Sequence, residues 1–473
     1  MKPRLWLVAL SALLISFSSA AQSGELWNAR LWLTTVDRSA LLAPQSALVH
    51  FSRAASTDRT IDVNDMEQYQ SMEGFGFALT GGSAELLTRM SPSARAALLQ
   101  SLFAPTGDGI HVSYLRVSIG SSDMNAYPYT YDDMPPGETD PRLAHFSLGI
   151  DKTTVIPVLQ QILAIDPDIK ILGSPWSAPA WMKTSDNLKN GHLKPEDYPV
   201  YARYFVKYIE AMKAEGISLA AITVQNEPLN PKNTPSMVMF APEEDAFIAN
   251  DLGPAFAKAG IHTGIQVYDH NPDVPSYPLS ILADPSANKY VEGTAFHLYG
   301  GTAATFTMVH NLYPRKDLFM TEQSITEPPN SPTLDVAEPV DRVLIGSTRN
   351  WSRNVLLWNL AANPQAGPHT SNGGCTGCYG ALTIDGDQVT RNVAWYALAH
   401  FSKFVPPGSI RIGTNDLEQL DNVAFLTPDG KIVLVVSNTG NFPFAFAIRY
   451  HGRTAVTSLP AESVGTYVWN SAS

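Results

Sequence analysis

Two glutamates define the chemistry open to this sequence. Glu227 ends the run Ile222-Thr223-Val224-Gln225-Asn226-Glu227-Pro228, and Glu322 ends Asp317-Leu318-Phe319-Met320-Thr321-Glu322. In both, an apolar stretch with the texture of a buried strand delivers a carboxylic acid at its carboxyl end. A parallel β/α barrel brings strand ends from distant sequence together on one face. Two carboxyls opposed there are what cleavage of a glycosidic bond requires. Taken singly, each glutamate also reads as a surface carboxylate following a strand; the pair is what points to chemistry.

Other polar and aromatic groups fall at similar places. Arg116 sits within Leu115-Arg116-Val117, and Trp176 within Ser174-Pro175-Trp176-Ser177. His270 follows Tyr268-Asp269, His297 precedes Leu298-Tyr299, and Trp358 precedes Asn359. An arginine inside an apolar strand must be paired. It either serves the fold or holds a glutamate ionised by proximity. Asn226 is either a helix cap or a donor to a sugar 2-hydroxyl. Trp176 and Trp358 read equally as core or as sugar platforms. His270 and His297 read as sugar ligands or as donors behind the ligands. A metal is the rival use of histidine with carboxylate, but no His-x-His or His-Glu-x-x-His spacing occurs, so none is expected.

These groups need strands to position them, and eight candidates occur in order. They are 74–79, 114–119, 170–174, 220–225, 264–268, 293–297, 317–322 and 355–358. Helical stretches separate them. Tyr201, Tyr204, Phe205, Tyr208 and Ile209 recur at helical spacing before Gly216, and Ser91-Pro92 opens another helix. The alternation predicts an α/β fold, a (β/α)8 TIM barrel over 71–404. Short alternating stretches, Leu31–Thr34 and Ala47–Phe51, lie in 22–70. The same texture returns in 405–473, where Pro428-Asp429-Gly430 turns a hairpin. Neither end holds a core alone, so the expectation is one β-sandwich built from both termini.

Only 16% of residues are charged and the net charge is −12, while aromatics make up 10%. An acidic chain is a poor partner for nucleic acid or anionic lipid. A neutral sugar meets no such penalty. Lys2 and Arg4, an apolar run to Phe17 and small residues to Ala21 read as an export signal over 1–21, implying a secreted or periplasmic protein. No later segment is apolar enough to insert in a membrane. The only cysteines, Cys375 and Cys378, then read as a small structural disulfide. A redox pair is the alternative, without a thioredoxin-like βαβ pattern around it. Oligomeric state leaves no signature.

At these residues the chain resembles glycoside hydrolase family 30, the family of the lysosomal glucosylceramidases. The likeness runs from about Gly74 to the end, through Gly74-Phe75-Gly76, Leu115-Arg116-Val117, Ser174-Pro175-Trp176, Asn226-Glu227-Pro228, Asp251-Leu252-Gly253-Pro254, Glu322 and His400-Phe401-Ser402-Lys403-Phe404. The resemblance implies a barrel joined to a sandwich, retention of β-configuration and no cofactor. It places the acid/base on Glu227, the nucleophile on Glu322, and sugar contacts on Trp176, Asn226, Trp358 and Asn359. The remaining sugar contacts, Arg116, His270, His297 and Tyr299, are expected from their strand ends.

Three departures from glucosylceramidases point to the endo-β-1,6-glucanase branch. Gly81 stands where those enzymes carry an aspartate after strand 1, which suggests extra room for a sugar joined through O6. Leu298 replaces a tryptophan. The Asn372–Cys378 segment differs. The substrate expected is therefore β-1,6-glucan, with a glucosylceramidase or general β-glucosidase as runner-up, and xylan or fucoside cleavage further behind. A non-catalytic carbohydrate-binding protein on the same fold is the alternative of another class. Glu227 should titrate high, through burial and the negative charge of Glu322, while Glu322 stays ionised.

Overall fold

The computed structural model describes residues 27–56, 58–328 and 331–471. The export signal expected over 1–21 lies outside them. Eight parallel strands close a barrel. They run Gly74–Ala78, Tyr114–Ser118, Lys170–Ser174, Ala221–Thr223, Gly264–His270, Val291–His297, Asp317–Glu322 and Ser352–Leu357. Closure is made by the eighth strand on the first, with Asn354 opposite Gly74 and Leu357 opposite Phe77. All eight coincide with the apolar runs in the sequence. Strands of a parallel barrel are covered on both faces and so carry few polar residues outside their ends.

Alternation within a strand decides what reaches the site. In Tyr114–Ser118, Leu115 and Val117 join the core shared with the surrounding helices. Tyr114 packs with Leu172, Ala221 and Leu356 in a separate cluster. Arg116 shares the face of Tyr114, because side chains two apart on a strand point the same way. It therefore projects inside the barrel, toward its mouth.

Strands from both termini form the second layer. Asn28–Thr35 pairs antiparallel with Ser463–Asn470. Thr60–Ser71 lies between Ile410–Thr414 and Phe444–Tyr450. This last N-terminal strand is twelve residues long and escaped the sequence reading, because Asp62, Asn64, Asp65, Glu67 and Gln68 interrupt its alternation. The expected hairpin is present, Leu420–Leu426 against Lys431–Asn438. In its second strand Ile432, Leu434 and Val436 enter the sandwich core, while Val433 and Val435 enter the barrel core. One strand thus joins the two hydrophobic units. No helix among the described residues is long and apolar enough to cross a membrane.

His400 pins the seam. It is fully buried on the helix Val393–Ser402. Its Nε2 lies 2.8 Å from Thr34 Oγ1 and its Nδ1 lies 2.8 Å from Thr466 Oγ1. Burial drives its pKa down from 6.5 to about 3, so the folded protein holds it neutral. The unfolded chain binds a proton there first, and the stability it lends is complete above pH 6.5. It is lost toward pH 3 at about 1.4 kcal/mol per pH unit. Thermal denaturation from pH 7.5 to 5.0 should show Tm falling. His400→Gln should lower Tm at pH 7.5 and flatten that fall; equal slopes in the two proteins would contradict the assignment.

Candidate active site

Glu227 and Glu322 meet at the barrel mouth, in a cavity of about 550 Å³. One oxygen of each carboxyl and one ring nitrogen of His297 lie within 4.8 Å of one another. That spacing belongs to the close class of carboxyl pairs, in which one attacks the sugar directly, and not to the class that leaves room for an intervening water.

The backbone is bent to make this meeting possible. Glu227 has φ +44°, Tyr268 +77° and Asp269 +50°. For residues with a Cβ this left-handed region costs roughly 1–2 kcal/mol each, and such conformations gather at functional sites. The Glu227 N–H donates to Asp269 O at 3.0 Å, so the two bent segments hold one another. Register shifts between Ala295 and Phe296 and between Phe296 and His297 mark bulges on the sixth strand. A bulge re-aims the side chain that follows it, here His297.

Arg116 organises the negative charges. Its Nη1 donates to Glu322 Oε2 at 2.5 Å, and its Nη2 to Asp269 Oδ2 at 2.7 Å and Asn226 Oδ1 at 2.7 Å. Its Nε donates to Ser174 Oγ at 3.1 Å. Burial opposes its charge, yet Asp269 and Glu322 raise its pKa further. Asp269, unanticipated among the site residues, is fully buried and also accepts from Thr321 Oγ1 at 2.6 Å. Burial would raise its pKa, but Arg116 and His297 hold it far below the carboxylate range.

His297 stands between three carboxylates. Its Nε2 is 3.1 Å from Asp269 Oδ1, and its Nδ1 is 3.3 Å from Glu227 Oε1 and 3.7 Å from Glu322 Oε1. Burial pushes its pKa down, but Glu322, Asp269 and Glu227 together raise it to about 9. The consequence reverses an expectation. Burial would raise Glu227, but the His297 hydrogen bond and charge override it and bring the carboxyl to about 2. Burial raises Glu322 against the pull of His297 and Arg116. In this site, then, Glu227 titrates low and Glu322 high. The sequence put a histidine at a strand end but could not reveal that three acids surround it.

The sugar-contact expectations divide. Trp176, Tyr299 and Trp358 line the cavity. The two indoles lie 5.4 Å apart, and the Tyr299 hydroxyl donates to Glu322 Oε1 at 3.0 Å. Arg116, His297 and Asn359 are sealed from solvent; the first two hold the carboxylates. Asn226 is almost wholly buried, and with its Oδ1 held by Arg116 its Nδ2 is the group left for a ligand. His270 Nδ1 accepts from the Asn271 N–H at 2.7 Å, and its ring lies 6.2 Å from His297. Cys375 and Cys378 form a disulfide on the cavity wall.

Sequence reasoning missed three further groups. Asn230 and Asn233 donate to Glu227 Oε2 at 2.6 and 3.2 Å. Asp123 presents a buried carboxyl to the cavity, and burial with the Glu322 and Glu227 charges raises its pKa well above normal. The room expected beside Gly81 is not there. A Cβ at Gly81 would fall 1.9 Å from Asn125 Nδ2, so that side chain fills the space. The cavity carboxyl comes instead from Asp123, after the second strand. The trio Glu227, His297 and Glu322 could also chelate an ion, but both ring nitrogens of His297 already face carboxylates, and binding would break one contact.

The glycosyl hydrolase family 30 TIM-barrel model matches residues 72–405, and the family's β-sandwich model matches 408–467. The chain belongs to glycoside hydrolase family 30. As a member of that family it is a retaining O-glycosyl hydrolase and carries its carboxyl pair at the ends of strands four and seven. An endo-1,6-beta-D-glucanase of Aspergillus fumigatus is 36% identical over 460 residues, covering 92% of each chain. A lysosomal acid glucosylceramidase of Mus musculus is 32% identical, covering 85% of this chain and 82% of that one. A solved endo-beta1,6-glucanase superposes with TM-score 0.87 at 35% identity, covering 94% of this chain and 100% of that one.

A histidine NMR titration reads the cage directly. One ring should keep its proton until about pH 9, and its resonance should vanish in His297→Gln. Titration of His297 near 6.5 would contradict the three-carboxylate arrangement.

Proposed function

We propose that this family 30 hydrolase cleaves β-1,6-linked glucan by double displacement, with Glu322 as nucleophile and Glu227 as acid and base. The observation that carries the mechanism is the close Glu227–Glu322 pair in a cavity walled by two indoles. The substrate reading is supported by endo-1,6-beta-D-glucanases of Aspergillus fumigatus and Trichoderma harzianum at 36% and 35% identity. With Gly81 shut off by Asn125, that reading no longer draws on free space there.

A glucose ring packs on Trp176 and Trp358, with Asp123 and the Asn226 Nδ2 as partners for its hydroxyls. Glu322 attacks the anomeric carbon as Glu227 protonates the leaving oxygen, and a glycosyl ester forms. The resting site holds the needed proton on the Glu227–His297 contact. Moving it across that contact gives protonated Glu227 and neutral His297 with no change in total charge. Once Glu322 is esterified its charge is gone, and with it the strongest charge favouring a protonated His297. Glu227, having donated, is then the carboxylate that activates water. Attack from the opposite face returns the β-anomer. The export signal read at 1–21 would place this activity outside the cytoplasm.

Reducing-sugar release tests the reading. β-1,6-Glucan should be turned over in clear preference to glucosylceramide. Glu227→Ala should lose about 10²–10⁴-fold of that turnover, the contribution typical of a general acid. Preference for the lipid would overturn the substrate reading, and equal release by the variant would overturn the acid assignment.

A further inference from the structure

The chemistry above makes no use of Cys375-Thr376-Gly377-Cys378. Yet this disulfide-closed turn and the glycines before it, Gly373 and Gly374, form one wall of the catalytic cavity. Cys378 is buried against Trp176, Trp358 and Met124. The wall is tied to the loops behind both glutamates. On one side the Thr234 N–H donates to Gly373 O at 3.3 Å, and Thr370 Oγ1 donates to Thr234 O at 2.8 Å. On the other, Thr326 Oγ1 donates to Gly377 O at 2.8 Å. Asn230 and Asn233, which hold Glu227, stand just before Thr234 on the same loop. The wall therefore borders the side from which Glu227 protonates the departing oxygen.

Its glycines have distinct tasks. A Cβ at Gly373 would fall 2.5 Å from Lys232 O, and one at Gly374 would fall 2.4 Å from Thr370 O. Both hold main chain against main chain. A Cβ at Gly377 would meet nothing within 4 Å, although Gly377 lines the cavity. It leaves the mouth open where a sugar ring would pass.

We infer that the Cys375–Cys378 turn receives the glucose residue on the leaving side and sets the preference for a leaving group joined through its O6. The inference rests on the β-1,6-glucan reading above. A 6-linkage carries one more freely rotating bond than linkages through ring hydroxyls, so ordering it costs more on binding. A wall held rigid before the substrate arrives reduces that cost.

The test compares a β-1,6-linked glucotriose with β-D-glucosyl fluoride, whose leaving group is a single atom and reaches no wall. Gly377→Leu fills the open position, and the paired substitution Cys375→Ser with Cys378→Ser releases the turn. Each should lower kcat/KM on the triose at least about tenfold more than on the fluoride, the scale of one pocket contact. The paired serine variant should show the loss chiefly in KM. Equal losses on both substrates, or none on either, would overturn the inference. Wild-type turnover of the fluoride without turnover of the triose would overturn the linkage reading itself, and the unsubstituted control identifies that failure.

Discussion

The site depends on charge balance in a closed space. One guanidinium and one imidazole stand against Asp269, Glu227 and Glu322, and the arginine, the histidine and Asp269 are out of reach of water. A fork of fixed donors that never loses its proton is suited to holding two acids at set positions. Removing it would leave Asp269 to His297 and Thr321, and Glu322 to His297 and Tyr299; breaking a buried ion pair of this kind costs about 3–5 kcal/mol. In the proposed mechanism Glu322 is the anion aimed at the sugar, and His297 and Arg116 together oppose the effect of its burial. Glu227 can exchange a proton only because His297 is beside it.

The barrel supplies the rigidity this balance needs. Arg116 lies within the second strand, the acids and His297 sit at or near the ends of theirs, and the strands are locked by closure of the sheet. Left-handed backbone at Glu227, Tyr268 and Asp269 is tolerated because hydrogen bonds cross between those segments. The outer wall is tied in as well, by the Cys375–Cys378 disulfide and by hydrogen bonds from Thr234 and Thr326. The sandwich contributes from a distance, by holding the helix that carries His400, whose Phe401 packs on Phe75 of the first strand.

Much of this was legible in the chain. Buried parallel strands are written as apolar runs, so all eight could be located, and a glutamate ending such a run advertises itself. What stayed hidden depends on geometry that no local pattern encodes. Asp123 and Asp269 lie in stretches with several polar neighbours, and only folding shows which one faces the cavity. Asn230 and Asn233 look like ordinary loop residues. The direction of the Glu227 and Glu322 shifts could not be read, because it turns on His297 sitting between them. Gly81 misled for the converse reason. A missing side chain implies space only if no neighbour, here Asn125, moves in.

The central claim is that Glu322, held by Arg116, is the atom donor to a covalent sugar. The most direct measurement is reaction with 2-deoxy-2-fluoro-β-D-glucosyl fluoride, followed by proteolysis and peptide mass spectrometry. The account predicts one stable glycosyl adduct, located on Glu322. An adduct on Glu227 or Asp123 instead, or turnover of the reagent with no adduct at any time, would contradict it.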